Sequence, residues 1–360
     1  MNGKENSIKE ALENIEVPEA RLDAIIEESF WETSAAPVKE KRRNRWMPAV
    51  ATAVLVAGIS AATLSATPAL AHYMAQLPVI GSVFSIFAEN PRGAAAFEEF
   101  SEDVALTQTS NGITISIDEA VYDGTKLTFT YRVASEEPLA SSAYLTNSPQ
   151  LLEAEGPTGG MQWEIVDGAI VGISEITHLD EEAEFVNVIW EPQTLYTEEK
   201  EIPGDWKFEF AVKQLKQTPV PLDEKVSSDG VTIHLQELTI TDVAVNIAYQ
   251  QLVDPAIVEA GNFVEAELIA KDNLGNVYEM PYSGGSTPGD ALTAEDFEWT
   301  ASFSGLDPNA STLTFYPFGH ISGPAIEPER VEFDALQFNL KDGTHRLIED
   351  PTVPKPPPVE

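Results

Sequence analysis

The apolar positions of this chain follow three patterns in turn, and each marks a different kind of element. In residues 7–16, SIKEALENIE, the apolar side chains Ile8, Leu12 and Ile15 fall at i, i+4 and i+7, which predicts an amphipathic helix opened by a Ser7/Glu10 capping box. Val17-Pro18 interrupts it, and Pro18 suits the first turn of a second helix whose Leu22, Ile25, Ile26 and Phe30 share a face. From Trp46 the pattern becomes continuously apolar: Met47–Ala71 is 25 residues of mostly Ala, Val, Leu, Ile, Thr and Ser. As a helix that is about 37 Å long, enough to cross the ~30 Å hydrocarbon core of a bilayer. From about residue 105 the period falls to two. Ile113, Ile115 and Ile117 alternate with Thr114, Ser116 and Asp118; Leu127, Phe129 and Tyr131 alternate with Thr128 and Thr130; Trp206, Phe208 and Phe210 repeat the pattern. These are half-buried strands of antiparallel sheet, with one face expected in the core, separated by turn signals at Asn111-Gly112, Asp123-Gly124, Asp229-Gly230, Asn273-Leu274-Gly275-Asn276 and Asp342-Gly343.

The β region repeats itself. Asn111–Glu119, NGITISIDE, aligns with Asp229–Glu237, DGVTIHLQE, at an offset of 118 residues, and at that offset Leu127, Phe129 and Tyr131 fall on Val245, Ile247 and Tyr249. A repeat of this length matches an immunoglobulin-like sandwich. The expected fold is therefore mainly β: two tandem immunoglobulin-like antiparallel β-sandwich domains after one transmembrane α-helix and a short α-helical N-terminal head. The expected boundaries are 1–45 for the head, 46–71 for the transmembrane helix, 72–100 for a juxtamembrane segment, 101–220 and 221–348 for the two sandwiches with a hinge at Gln217–Pro221, and 349–360 for a Pro-rich disordered tail. The apolar residues of VIGSVFSIFAEN, after Pro78, are expected to cap the membrane-proximal end or to pack under the first sandwich.

Charge turns this layout into a topology. Residues 1–45 hold ten acidic and eight basic residues, Trp46–Ala88 hold none, and residues 89–360 hold 49 acidic and 13 basic, within a total net charge of −38. Lys39, Lys41, Arg42, Arg43 and Arg45 stand directly before the apolar run, and the next basic residue is Arg92. The positive-inside rule then places the N-terminus in the cytoplasm and the β domains outside a cell membrane crossed once. Ala69-Leu70-Ala71 also fits a signal-cleavage pattern, which would instead give a secreted chain starting at His72.

The same counts exclude whole classes of function. An excess of acid this large repels phosphate backbones, so no nucleic-acid partner is expected. The absence of cysteine removes disulfides, Cys nucleophiles and thiolate metal sites. The five histidines, His72, His178, His234, His320 and His345, form no metal or catalytic motif; His234, on the polar face of its strand, reads as a solvent-exposed side chain. Asp272–Asn276 has calcium-loop ingredients but carries Ser283 where the bidentate Glu belongs, so it reads as a hairpin turn. No enzyme activity, catalytic residue, metal or cofactor is expected. What remains is binding. The faces Ile8/Leu12/Ile15 and Leu22/Ile25/Ile26/Phe30 belong to a head too small to bury them alone, and they are the candidate partner-binding residues.

The sequence resembles a known family on specific stretches: the head IKEALENIEVPEARLDAIIEESF, the run TPALAHYMAQLPVIGSVFSIF and the strand pair NGITISIDEAVYDGTKLTFTYRV. Across residues 5–135 it looks like a Firmicutes family of single-pass membrane proteins built on domains of unknown function and described as anti-sigma factors for extracytoplasmic-function sigma factors. The resemblance implies that residues 1–45 sequester a cytosolic sigma factor, that the sandwiches sense an envelope signal or ligand, and that no residue is catalytic. The head lacks the His and Cys of zinc-type anti-sigma domains, so docking would be metal-free. The competing expectation is a non-enzymatic, membrane-anchored surface protein that binds a cell-wall polymer or protein through its sandwiches.

Overall fold

In a computed structural model, the structure describes residues 82–88, 90–152, 158–177, 183–349 and 352–355. The proposed head contacts Ile8, Leu12, Ile15, Leu22, Ile25, Ile26 and Phe30, the basic residues Lys39, Lys41, Arg42, Arg43 and Arg45, and the apolar run 46–71 lie outside the described residues. Among the described residues no helix is long and apolar enough to cross a membrane.

The described chain is mainly β, with antiparallel sheets and three short helices: α1 (Phe84–Phe87), α2 (Pro91–Phe100) and α3 (Pro255–Glu259). The strands of the first half are β1 (Glu102–Ser110), β2 (Ile113–Tyr122), β3 (Lys126–Ser135), β4 (Tyr144–Leu145), β5 (Gln150–Leu151), β6 (Thr158–Val166), β7 (Ala169–Thr177), β8 (Phe185–Trp190), β9 (Thr194–Tyr196), β10 (Glu201–Pro203) and β11 (Phe208–Lys213). Those of the second are β12 (Thr218–Ser228), β13 (Val231–Ile240), β14 (Ala244–Val253), β15 (Phe263–Asp272), β16 (Val277–Met280), β17 (Tyr282–Ser286), β18 (Phe297–Ser304), β19 (Thr312–Gly323), β20 (Ile326–Glu332), β21 (Ala335–Asn339) and β22 (His345–Ile348). The first half is a five-stranded sheet β1-β2-β3-β7-β6 accompanied by the small sheets β10-β9-β4 and β11-β8-β5. The second places β12-β13-β14-β18-β17 with β16-β15-β19-β21-β22, β20 pairing with β19. Each half closes over its own core. The first is built on Ile115, Phe129, Tyr131, Trp190 and Phe208, the second on Ile233, Ile247, Tyr249, Phe315 and Phe338. This is sandwich-like packing, in which the inward residues of alternating strands supply the core.

The repeat in the sequence is a repeat in the backbone. Asn111-Gly112 (φ 49° and 80°) and Asp229-Gly230 (φ 46° and 80°) both turn through the left-handed region, as a two-residue hairpin demands. Ala105 (φ 50°) and Asp223 (φ 48°) sit at matching bulges, where the register slips between Asp103 and Leu106 and between Pro221 and Glu224. Turn, bulge and both flanking strands recur at the spacing read from the sequence.

Three expectations change. Gln217–Pro221 is no hinge, since β12 begins at Thr218 and pairs Pro219 with Thr239 and Pro221 with Glu237. The prolines are tolerated because β12 is an edge strand, whose outward N–H groups need no partner. Strands β2 and β3 are buried on both faces rather than one, with Thr114, Ser116, Thr128 and Thr130 all inaccessible. Ser116 Oγ donates to Asp118 Oδ1 at 3.2 Å, and Arg132, paired with Ser116 across the ladder, grips the same carboxylate through two bonds of 2.7 Å. Trp206 precedes β11 instead of belonging to it, and its indole Nε1 donates to Ile113 O at 3.3 Å. The Asp272–Asn276 segment forms the expected hairpin between β15 and β16, while Thr352–Lys355 of the tail carries no regular element.

Candidate functional site

The most connected feature of the described chain is the place where α1 and α2 meet both β halves. The sequence stops and starts these helices by local chemistry. Asn90 is the N-cap of α2, its Oδ1 accepting from Gly93 N at 2.8 Å, and Pro91 occupies the first turn, where its missing N–H is harmless. The cap also reaches across the chain: Asn90 Nδ2 donates to Ser304 O at 3.2 Å, Arg92 Nε donates to Gly305 O at 3.0 Å, and the Arg92 guanidinium lies 3.3 Å from Asp307 Oδ2. Gly93 is required by this approach, because a Cβ there would stand 2.5 Å from Ser304 Oγ. The start of α2 is thus fastened to the end of β18 in the second half.

Its other face is apolar and bridges the halves. Ala96, Phe97 and Phe100, with Leu215, pack on Val121 at the end of β2 and on Val243 and Ala244 at the β13–β14 turn. Phe84 of α1, 1% exposed, stacks on Phe97 with ring centroids 5.3 Å apart. Beside this contact a polar lock joins the halves: Asp123, buried in the β2–β3 turn, accepts from Thr125 N and Lys126 N, and its carbonyl accepts from Gln217 Nε2 at 3.0 Å. A groove of about 590 Å³ opens between the helices and the outer face of the first sheet, lined by Phe84, Phe87, Phe97, Ile173 and Phe303, with the Lys126–Glu175 ion pair (2.8 Å) in its wall. That volume is within the range of small-molecule sites.

A second cavity, of about 670 Å³, lies between β5 and the β6–β7 pair of the first half. Ser174 lines it, with its hydroxyl buried and without a hydrogen-bond partner. Neither cavity is lined by a described histidine. The described histidines are dispersed. His234, expected in solvent, is half-buried with Nε2 2.8 Å from Asp223 Oδ1, because the β12 bulge turns Asp223 toward it. His320 Nδ1 stands 3.6 Å from Glu267, and His345 Nε2 lies 3.1 Å from Leu222 O. Among the described residues no group of three or more His, Asp or Glu could hold a metal ion. The Asp272 carboxylate of the hairpin is taken up by the protein itself. It accepts from Leu274 N, Asn276 N, Asn276 Nδ2 and the Tyr278 hydroxyl, and these bonds outweigh burial to hold its pKa below the usual range. Burial pushes the Tyr278 hydroxyl up to about 12.

The helix–sandwich junction was not anticipated residue by residue. The Asn90-Pro91 helix start is visible in sequence, but the contacts of Arg92 and Gly93 with residues more than 200 positions away are not.

Comparison with known proteins agrees with this organisation. Residues 41–135 match a family model described as Domain of unknown function (DUF4179), and residues 217–340 match one described as Family of unknown function (DUF5643). No curated protein matches the chain. A solved structure described as the crystal structure of the conserved domain protein from Bacillus anthracis is similar, at 24% identity and a TM-score of 0.66, covering 73% of this chain and all of that one. That likeness concerns the fold alone. With two such matches over separate parts of its length, the chain fits a family built on domains of unknown function.

Proposed function

We propose that this protein is a membrane-anchored regulator. Its β halves, read as tandem immunoglobulin-like sandwiches outside the cell, sense an envelope signal, and its N-terminal head holds a cytosolic sigma factor through Ile8, Leu12, Ile15, Leu22, Ile25, Ile26 and Phe30. The single observation that carries this reading is the bridging position of α2. The helix follows the apolar run in sequence and is pinned at one end to Ser304, Gly305 and Asp307 and along its side to Val121, Val243 and Ala244. A ligand or force that changes how the two halves meet must therefore move the segment that leads to the membrane. No catalytic group is needed for this role. The sequence resemblance and the match of residues 41–135, which spans the last basic residues, the apolar run and the first strands, support it.

The test is capture of a sigma factor by residues 1–45 immobilised on a support, together with deletion of residues 2–35 in the cell. Capture with release of sigma-dependent transcription is the expected result. Failure to retain any sigma factor, with unchanged transcription in the deletion, would refute the reading. A reporter fused after Glu360 is expected to be active only outside the cell.

A further inference from the structure

The two five-stranded sheets end on β1 and β6 in the first half and on β12 and β17 in the second. An open edge presents unpaired backbone groups, and folds usually interrupt it. The register of β1 slips between Asp103 and Leu106, that of β12 between Pro221 and Glu224, and that of β17 between Tyr282 and Gly284. Strand β12 also carries Pro219 and Pro221. Among the described residues β6 is the exception. It pairs with β7 without a slip from Thr158↔Thr177 to Val166↔Ala169, and it holds no proline and no lysine.

The β6–β7 hairpin turns at Asp167-Gly168, both at positive φ, so Val166 and Ala169 close it as a hydrogen-bonded pair and bonded pairs then alternate with non-bonded ones. Gly159, Met161, Trp163 and Ile165 fall on the non-bonded pairs, and their N–H and C=O groups face the open edge. At the start of this edge two cavities meet. Gly159 and Gly160 line both the cavity of about 670 Å³ on the inner face of the sheet and the groove of about 590 Å³ on its outer face. The inner cavity is the more polar, with Ser148, Gln150 and Glu191 beside Ser174. The outer groove is walled by Phe84, Phe97 and Phe303.

Ser174 shares the inward face of β7 with Ile170 and Ile176 of the core, is 1% exposed, and leaves its hydroxyl without a partner. A buried hydroxyl with no bond is a cost to the fold. The second half shows that the fold does not require it. Ser174 pairs with Phe129 of β3; 118 residues after Phe129, Ile247 pairs with Ala301, which is wholly buried in the second core. The hydroxyl therefore belongs to the cavity and not to the β framework.

We propose that the β6 edge docks an extended peptide, which adds a strand to the first sheet. The peptide main chain bonds the free groups of Gly159, Met161, Trp163 and Ile165. Its successive side chains turn to alternate faces, one set into the Ser174 cavity and the other into the phenylalanine-walled groove. A pocket on each face of a single edge strand matches the two-residue period of a peptide strand. The peptide carries small hydrogen-bonding side chains on one face and apolar ones on the other. It bears no net negative charge, because residues 89–360 hold 49 acidic and 13 basic residues, and that charge also opposes a second copy of this chain as the occupant. This deepens the regulator reading, on which its role as a signal rests, by naming the class of ligand the β halves sense beside α1 and α2.

The experiment is hydrogen exchange, resolved to single amides, on the full chain in lipid nanodiscs. The probe is a synthetic peptide of alternating Thr and Val with Lys at both ends, added up to millimolar concentration. The amides of Met161, Trp163 and Ile165 should exchange fast in the free protein and slow about tenfold when the peptide stands at about ten times its Kd. Those of Gln162 and Glu164, bonded to β7, should be slow from the start, and β14 is the unchanged reference. At Gly160 a Cβ meets nothing within 4 Å, so Gly160→Val should fold, fill the outer groove and lose the slowing. Ser174→Ala should weaken the peptide about two- to tenfold without lowering the urea midpoint of the free protein. No slowing with the peptide, or the same slowing in Gly160→Val, overturns the proposal. So does slowing by a chito-oligosaccharide in place of the peptide, or slowing that grows with protein concentration alone, the mark of a second copy. If Gly160→Val does not fold, undiminished binding in Ser174→Ala overturns it instead. Sigma-factor capture by residues 1–45 is measured apart from this edge, so the two ideas fail separately.

Discussion

Replacing Phe84 with alanine removes the ring that stacks on Phe97 and leaves the rest of the junction intact. Phe84 is 1% exposed, so the loss is nearly the full value for a buried aromatic, about 3–5 kcal/mol. Where that cost falls is the informative part. Phe84 is a member of neither sandwich core; it belongs to α1, stacks on Phe97 of α2 and lines the groove. The cost should therefore be charged to docking of the helices and not to global unfolding. At about 1.4 kcal/mol per tenfold, 3 kcal/mol corresponds to a docking equilibrium weakened about 100-fold. Hydrogen exchange on the intact chain reads this directly. Amides in residues 92–101 should lose about two orders of magnitude of protection, while those of β2 and β14 keep theirs. If β2 and β14 lose protection in step with α2, the helices are part of one cooperative unit and cannot act as a separate lever. If α2 keeps its protection, the stack contributes nothing and the reasoning fails.

Other substitutions test other parts of the fold. Gly93→Ala forces a methyl to within 2.5 Å of Ser304 Oγ and should loosen α2 by about 1–3 kcal/mol, with partial rescue by Ser304→Gly, both read by the same exchange. Asp296 is buried and accepts from Val253 N, Leu292 N, Thr293 N and Thr293 Oγ1. Burial opposes its charge, but the backbone and hydroxyl bonds win and hold its pKa below the usual range. Asp296→Asn should lower urea stability by about 2–3 kcal/mol at neutral pH. The parent's advantage should be present above about pH 4 and disappear as pH falls through the depressed value. The Tyr249 hydroxyl donates to Ala266 O at 2.8 Å, joining the two sheets of the second half; Tyr249→Phe should cost about 1–2 kcal/mol in the same denaturation assay.

Side-chain period and turn chemistry are local properties, and they were legible. Ile113, Ile115 and Ile117 could only be the inward face of a strand, and Asn111-Gly112 could only turn tightly, because a two-residue hairpin needs positive φ at both positions. The repeat was legible for the same reason, since its turn and strands follow each other without a gap. The edge position of β12 was not. Pro219 and Pro221 argue for a hinge until pairing with β13 shows that their missing N–H groups face outward. His234 met its partner only because a bulge eleven residues earlier brought Asp223 round.

From sequence alone came the order of parts along the chain: a head with two apolar faces, a charge-free run behind a basic cluster, and a repeated antiparallel β unit. Each follows from spacing within a few residues of its neighbours. Only the tertiary structure decided that Asn90, Arg92 and Gly93 clasp residues 304–307 and that Phe97 packs with Val121 and Val243. Those contacts join positions up to 215 residues apart, and no local period encodes them. They arise because the helix has an apolar side to bury and the place where two folded halves abut is where that surface is offered.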